Sequence, residues 1–339
     1  MSAAGRAVSS TAALARSTRI KPWEVAVWVV AAGAWFVAPS QSPLFNEITI
    51  LALFAVSLDL ILGYAGIVSL GHAAFFGAGA YAAGLLAKHV TGDPLVGLAF
   101  GAAVAALVGL VTSPLVLRGS DLTRLMVTLG IALILYELAN RFDNITGGAD
   151  GLQGIVMKPL LGTFSFGLSG RTAYAYSLAV LFVLVLLARR LVHSPFGFSL
   201  EAIRDNRMRA TAIGIPVNAR LATIYTIAAA YAGAAGALLA QTTGFTSLDV
   251  FDFHRSADVM LMLIIGGTGY LYGGIIGAVV FRLLYDVLSR YTTTYWQFWL
   301  GLFLIVLVLV GHDRLVRPFR RMGTILRPRG AAADADGAP

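Results

Sequence analysis

The chain contains no cysteine. That excludes disulfides, thiolate metal sites and cysteine nucleophiles, and it leaves the redox compartment open. Charge is scarce as well: Asp, Glu, Lys and Arg make up 12% of the 339 residues, against about 25% in soluble domains. No GxxxxGK[ST] motif occurs, so the chain does not hold ATP in a P-loop of its own. HExxH and paired-histidine spacings are missing too, which argues against a metal enzyme, and no cluster of polar catalytic groups gathers at one end of the apolar runs. The run from Gly77 to Ala82 imitates a dinucleotide fingerprint, but no strand precedes it. Asn144-Ile145-Thr146 matches a glycosylation sequon and is read as chance.

With 58% hydrophobic residues and a mean hydropathy of +0.79, the chain cannot cover itself with polar surface. It reads as an all-α, polytopic integral membrane protein. Ten apolar spans are expected: Trp23–Ala38, Glu47–Leu62, Leu70–Ala87, Leu95–Leu117, Leu122–Asn140, Ala173–Leu191, Leu221–Gln241, Ala257–Gly267, Gly274–Arg290 and Trp296–Gly311. Glu47–Leu62 and Ala257–Gly267 are short for the roughly 20 residues a bilayer needs. The organisation expected is a basic segment at 1–22, a membrane domain at 23–311 and a basic, disordered tail at 312–339. The first span is read as retained, because no small-x-small cleavage site precedes Pro39.

The placement of the 25 Lys and Arg residues tests topology. With the N terminus in the cytoplasm, inside segments hold 18 and outside segments hold six. That bias puts both termini inside. Ionisable groups within spans are few: Asp59, Glu137, Asp258, Arg282 and Asp286. Most fall near expected ends, and the i,i+4 spacing suggests that Arg282 and Asp286 pair.

His193–Arg220 is the longest polar interruption among the middle spans. Its centre reads as one short helix over about 199–214, with Ser199 as N-cap, Glu201 in the first turn, and Gly214 with Pro216 as the stop. It is too short and too charged to cross a bilayer. Residue pattern alone fits either a helix that docks on a partner at the cytoplasmic face or an ordinary solvated loop.

Glycine marks close helix packing. Gly63–Gly84 is the densest run, with Gly63, Gly66, Ser69, Gly71, His72 and Gly77 as residues of helix packing or of a pathway. Gly266, Gly267, Gly269 and Gly273 form the second run. Gly97/Gly101 and Ala229/Gly233/Ala237 repeat the small-residue spacing. The two dense runs suggest inverted repeats of spans two to five and seven to ten. His72 reads first as a packed, hydrogen-bonded histidine.

Four dispersed motifs resemble those of the branched-chain amino-acid ABC transporter permeases: Gly63–Tyr81, Thr146–Gly151, Phe196–Asn206 continuing to Ala212-Ile-Gly214-Ile215, and Leu261–Gly274. The resemblance runs from about Asn46 to Gly311 and is to the second of two paired permease subunits. It implies a bacterial inner-membrane importer built from a homologous sister permease, two ATPase subunits and a periplasmic solute-binding protein. It involves no nucleic acid. This chain would be non-catalytic and bind no cofactor, with ATP and Mg on the partner ATPases. The resemblance makes the interruption a coupling helix and carries ATPase contact onto Glu201, Ala202, Ile203, Arg204, Asp205, Asn206 and Gly214. The sequence departs from the EAA consensus of other importers, since Ile203 follows Glu201-Ala202 and no glycine follows four residues later. The implied substrates are leucine, isoleucine and valine. Urea, short amides and other amino acids remain open, and an ion-driven secondary transporter is the alternative outside the class.

Overall fold

The computed structural model describes residues 22–160, 162–167, 169–291 and 295–310. The tail at 312–339 and, apart from Pro22, the basic segment at 1–22 lie outside the described residues. The α-helices of six residues or more are α1 (Pro22–Val37), α2 (Ser42–Leu62), α3 (Ala73–His89), α4 (Pro94–Leu117), α5 (Asp121–Arg141), α6 (Arg171–Val192), α7 (Pro195–Asp205), α8 (Arg207–Ala212), α9 (Val217–Thr243), α10 (Phe253–Gly266), α11 (Leu271–Tyr291) and α12 (Trp296–Val310). Apart from two isolated bridges, Leu152 with Thr246 and Leu160 with Phe164, regular structure among the described residues is helical.

Local chemistry sets the boundaries. Asp93 caps α4, accepting from the Leu95 and Val96 amides at 2.9 and 3.2 Å, and Pro94 supplies a first-turn residue with no N–H to satisfy. Ser120 caps α5. Helix α9 stops at Gly244, whose φ of +68° suits glycine.

Where ten spans were expected, six helices among the described residues have the length and apolarity to cross a bilayer: α2 with its lead-in from Pro39, α4, α5, α6, α9 and α11. The doubtful run at Glu47–Leu62 is one of them, because α2 begins at Ser42 and reaches 21 residues. The other four expected spans are helices of 16, 17, 14 and 15 residues: α1, α3, α10 and α12. Glycine explains two of the shortfalls. Residues 63–72 are irregular, so α3 begins only at Ala73. Helix α10 ends at Gly266, followed by Gly267 at φ +90°.

Helices α2 and α9 are buried over most of their length, whereas α4, α5 and α6 bury only a third or less of theirs. The centre of the bundle is made of small residues. A Cβ on Gly79 would overlap the Gly233 backbone, one on Gly236 would overlap the Phe76 carbonyl, and one on Gly101 would lie 2.7 Å from the Gly79 carbonyl. The Gly97/Gly101 and Ala229/Gly233/Ala237 faces thus meet each other and α3. The resemblance of Gly77–Ala82 to a nucleotide loop dissolves into this contact, since it lies inside α3 against Phe251 and Gly233. In hydrocarbon, helices gain little from burying apolar area against one another, so close backbone approach carries the association.

Ion pairs fasten the periphery. Glu24 of α1 accepts from Arg189 of α6, and both are largely buried. The expected Arg282–Asp286 pair is replaced by partners elsewhere. Arg282 donates to Glu47 of α2 at 2.7 Å, so two charges are neutralised between helices. Asp286 pairs with Arg290 at 2.7 Å, one turn on. The chain divides between Arg282 and Leu283 into two compact units, and the second holds the end of α11 and α12.

Glycine positions give a signed stability test. Gly236→Ala should destabilise the purified protein by about 1–3 kcal/mol through overpacking. Gly130→Ala, at a helical glycine with nothing within 4 Å of its added Cβ, should stabilise it by about 0.5–1 kcal/mol through helix propensity. Thermal unfolding in detergent should move the two midpoints in opposite directions.

Candidate functional site: a clasp between two broken helices

The two glycine-rich runs, some 200 residues apart in sequence, lie against each other. A Cβ on Gly63 would overlap the Gly269 amide. At this contact both helices are interrupted, and each interruption leaves main-chain groups needing partners. Two side chains provide them. Asp59 Oδ1 accepts from the Gly269 amide at 2.7 Å. Arg204 of α7 donates through Nη1 to the Gly63 carbonyl. Arg204 also covers Gly66 (φ +68°), where a Cβ would lie 2.9 Å from its Cγ, and Gly269 (φ +76°), where a Cβ would lie 3.4 Å from its Nη1. The left-handed backbone and the close approach both require glycine here. One arginine therefore touches both breaks.

Residues 63–72 are pinned on other sides as well. The Leu70 amide donates to Thr128 of α5 at 3.3 Å, and the Ala73 amide to Ser256 of α10 at 2.9 Å. His72 bonds through Nε2 to Ser57 at 2.8 Å and stacks on Phe54. It is a packed core histidine, as first read. Ser69 is buried beside it, and a Cβ on Gly71 would overlap the Thr128 carbonyl. Gly77 lies one turn into α3, under the Phe251 ring. Gly266 and Gly273 face one another across the α10–α11 turn, and a Cβ on Gly273 would also meet the Gly267 carbonyl.

The polar segment after α6 differs from its expectation. In place of one helix over 199–214 there are two, broken at Asn206. Ser194 rather than Ser199 caps α7, with Pro195 in the first turn. Asn206 is extended (φ −160°, ψ 103°) and its side chain accepts from the Arg209 amide at 2.9 Å, restarting the chain as α8. Asn206 terminates one helix by capping the next. The stop at Gly214 stands: φ is +86°, and the Ile215 amide bonds back to the Ala210 carbonyl.

These residues divide by face. Ile203 and Leu200 are buried and seat α7 on the bundle. Glu201 and Ala202 are half-buried, while Arg204, Asp205, Asn206 and Gly214 are exposed. Composition gave no hint of two exposed apolar residues among the charges, Met208 (84% exposed) and Ile213 (74%). Asp59 was also missed. It was placed near a span end with access to the interface, yet it is fully buried. An acid at the last turn of an apolar run, just before a glycine that breaks it, is the signal that could have found it.

Six helices long and apolar enough to cross a bilayer, interrupted helices joined by a polar clasp, and a bundle packed on small residues define the class: an integral membrane protein of the helical transport type. The comparisons name the family. Residues 42–311 match the branched-chain amino acid transport system permease component, and the chain belongs to that family. It is 30% identical, over 86% of its length and 74% of the relative's, to the high-affinity branched-chain amino acid transport system permease protein LivM of Salmonella typhimurium. LivM of Escherichia coli is 31% identical, over 79% and 68%. The fructose import permease protein FrcC of Rhizobium meliloti is 25% identical, over 86% and 82%. No solved structure matches the chain.

The Asp59–Gly269 bond is testable apart from transport. Asp59→Leu leaves a buried amide without an acceptor and should cost about 1–3 kcal/mol, whereas Asp59→Asn retains an oxygen and should cost less. Hydrogen exchange at residues 266–271 should accelerate in the leucine variant and remain slower in the asparagine variant.

Proposed function

We propose that this chain forms part of the translocation path of an ATP-binding cassette importer for leucine, isoleucine and valine, driven through α7 and α8 by separate ATPases. The observation that carries this reading is Arg204. It sits on the outer face of α7, bonds the Gly63 carbonyl at one break and lies over Gly269 at the other. A push on α7 would therefore act directly on the two places where the bundle's backbone is least regular. A rigid lever on paired hinges is one of the standard ways to move a packed bundle.

The supporting reading places α7–α8 at the cytoplasmic face of a bacterial inner membrane, with both termini inside. Ten crossings, with inverted repeats of spans two to five and seven to ten, belong to the same reading. The partners are a sister permease, two ATPase subunits that hold ATP and Mg, and a periplasmic binding protein that sets most of the selectivity. Arg204, Asp205 and Asn206, with Met208 and Ile213 as apolar knobs, form the surface the ATPase grips. Ile203 anchors the lever from beneath. The chain itself performs no catalysis. A sugar or another small solute is the second reading, favoured by the likeness to a fructose permease.

Two experiments test this. The chain has no native cysteine, so Met208→Cys gives a single label site. In inverted vesicles it should react with an impermeant maleimide, and in right-side-out cells it should not. Full protection in inverted vesicles with reaction in cells would overturn the orientation. In proteoliposomes with all partners, Arg204→Ala should lower leucine uptake by about tenfold or more, the equivalent of one charge-assisted hydrogen bond, with ATP hydrolysis retained. Wild-type uptake in that variant would refute the lever.

A further inference from the structure

At the end of α2 opposite Asp59 lies a cavity of about 870 Å³. Its size is within the range of small-molecule sites, about 300–1,000 Å³. It is bounded by the first turns of α2, the start of α6, the end of α9 and residues 155–157 and 166–167. One wall is aliphatic and aromatic, formed by Ile50, Leu51, Phe76, Ile155, Val156 and Leu239. Set into this wall are groups of both charges. Glu47 lines the cavity and accepts from Arg282 through Oε2. Arg255 lines it too, and its guanidinium donates to none of the described residues. Between them in character is Gln241, which is 2% exposed. Its Nε2 donates to the Pro94 carbonyl at 2.9 Å, but its Oε1 has no partner. A buried acceptor left unmet is costly, and such groups call for a donor.

We infer that this cavity is a transit site for the transported molecule itself, an α-amino acid zwitterion with a branched aliphatic side chain. Arg255 takes the carboxylate. The Glu47 carboxylate and the unmet oxygen of Gln241 take the ammonium. The aliphatic wall takes the side chain. A sugar or a simple amine would leave the Arg255 cation unanswered, and a simple fatty acid would leave the Gln241 oxygen without a donor. The cavity is much larger than one such amino acid, so water fills the rest. Binding is therefore weak and exchange fast, as a path requires. The inference rests on the substrate reading proposed above. It adds that this chain contributes its own recognition of the zwitterion, beyond that of the binding protein.

The test uses the complete importer in nanodiscs, without binding protein or nucleotide, and tritiated L-leucine as the probe. Saturable binding is expected, displaced by leucine and valine but poorly by 4-methylpentanoate, isopentylamine or fructose. Arg255→Gln should weaken leucine binding by about tenfold or more, as expected for loss of a hydrogen-bonded charge. Arg255→Lys should stay within about threefold, since a carboxylate accepts either cation. Absence of saturable binding, equal displacement by the one-charge analogues, or wild-type affinity in Arg255→Gln would each overturn the site. Uptake by the same importer with its binding protein separates the two claims. If leucine is transported but does not bind the importer alone, the site falls and the substrate reading stands. If only a sugar is transported, the substrate reading falls and takes the site with it.

Discussion

A helix that stops against packed neighbours leaves carbonyls and amides that must find partners. This constraint organises the structure. The chain breaks helices at residues 63–72 and at 267–270, then brings the breaks together so that each is close to the side chain that satisfies it. The Gly269 amide has Asp59 and the Gly63 carbonyl has Arg204. The buried acid and the more exposed base also act on one another electrostatically, so neither charge sits uncompensated at depth. Removing either side chain would expose a main-chain group as well as a charge, which couples local stability to the position of α7.

The packing around this clasp is of two kinds. Helices α3, α4 and α9 approach through glycine and alanine, backbone to backbone, with the Phe75–Tyr225 ring pair set between α3 and α9. Such surfaces are close yet shallow, and small displacements do not require large side chains to change rotamer. Helix α2 is different. It is buried by Phe54, Leu58, Leu60 and Ile61 and tied laterally by Asn46, which bonds Thr242 and Ser177. It has no internal glycine or break over 21 residues. One unbroken helix thus joins the clasp at one end to the cavity at the other.

Much of this was legible in the sequence, and the residues say why. Each of the ten expected apolar runs carries a helix, because hydropathy reports burial and lipid contact directly. The small-residue faces met where their spacing put them, because close approach demands glycine or alanine wherever it occurs. What sequence spacing could not give was partnership across the chain. Arg282 had Asp286 four residues away and took Glu47 instead. Local spacing supplies one candidate partner, whereas the fold supplies several. Asp59 failed for the same reason: its acceptor role is defined by an amide 210 positions away. The break at Asn206 is a competition between continuing one helix and capping another, and a side-chain cap of that kind is visible only once both segments are in place.

Exposed apolar residues have two meanings in this molecule, and their neighbours distinguish them. On α4 and α5, Leu107, Leu110, Val111, Leu133 and Ile134 are exposed along helices that are otherwise apolar. Lipid is the ordinary solvent of such a face. Met208 and Ile213 are as exposed, yet stand among Arg204, Arg207 and Arg209. Arginines flanking them would have to leave water if lipid covered the knobs, at a cost of about 2.5–3.5 kcal/mol each at the membrane centre. A protein surface can meet both at once, burying the apolar tips and answering the cations with its own acids. The polar segment that reaches inward through Arg204 therefore presents outward a face of apolar tips among cations.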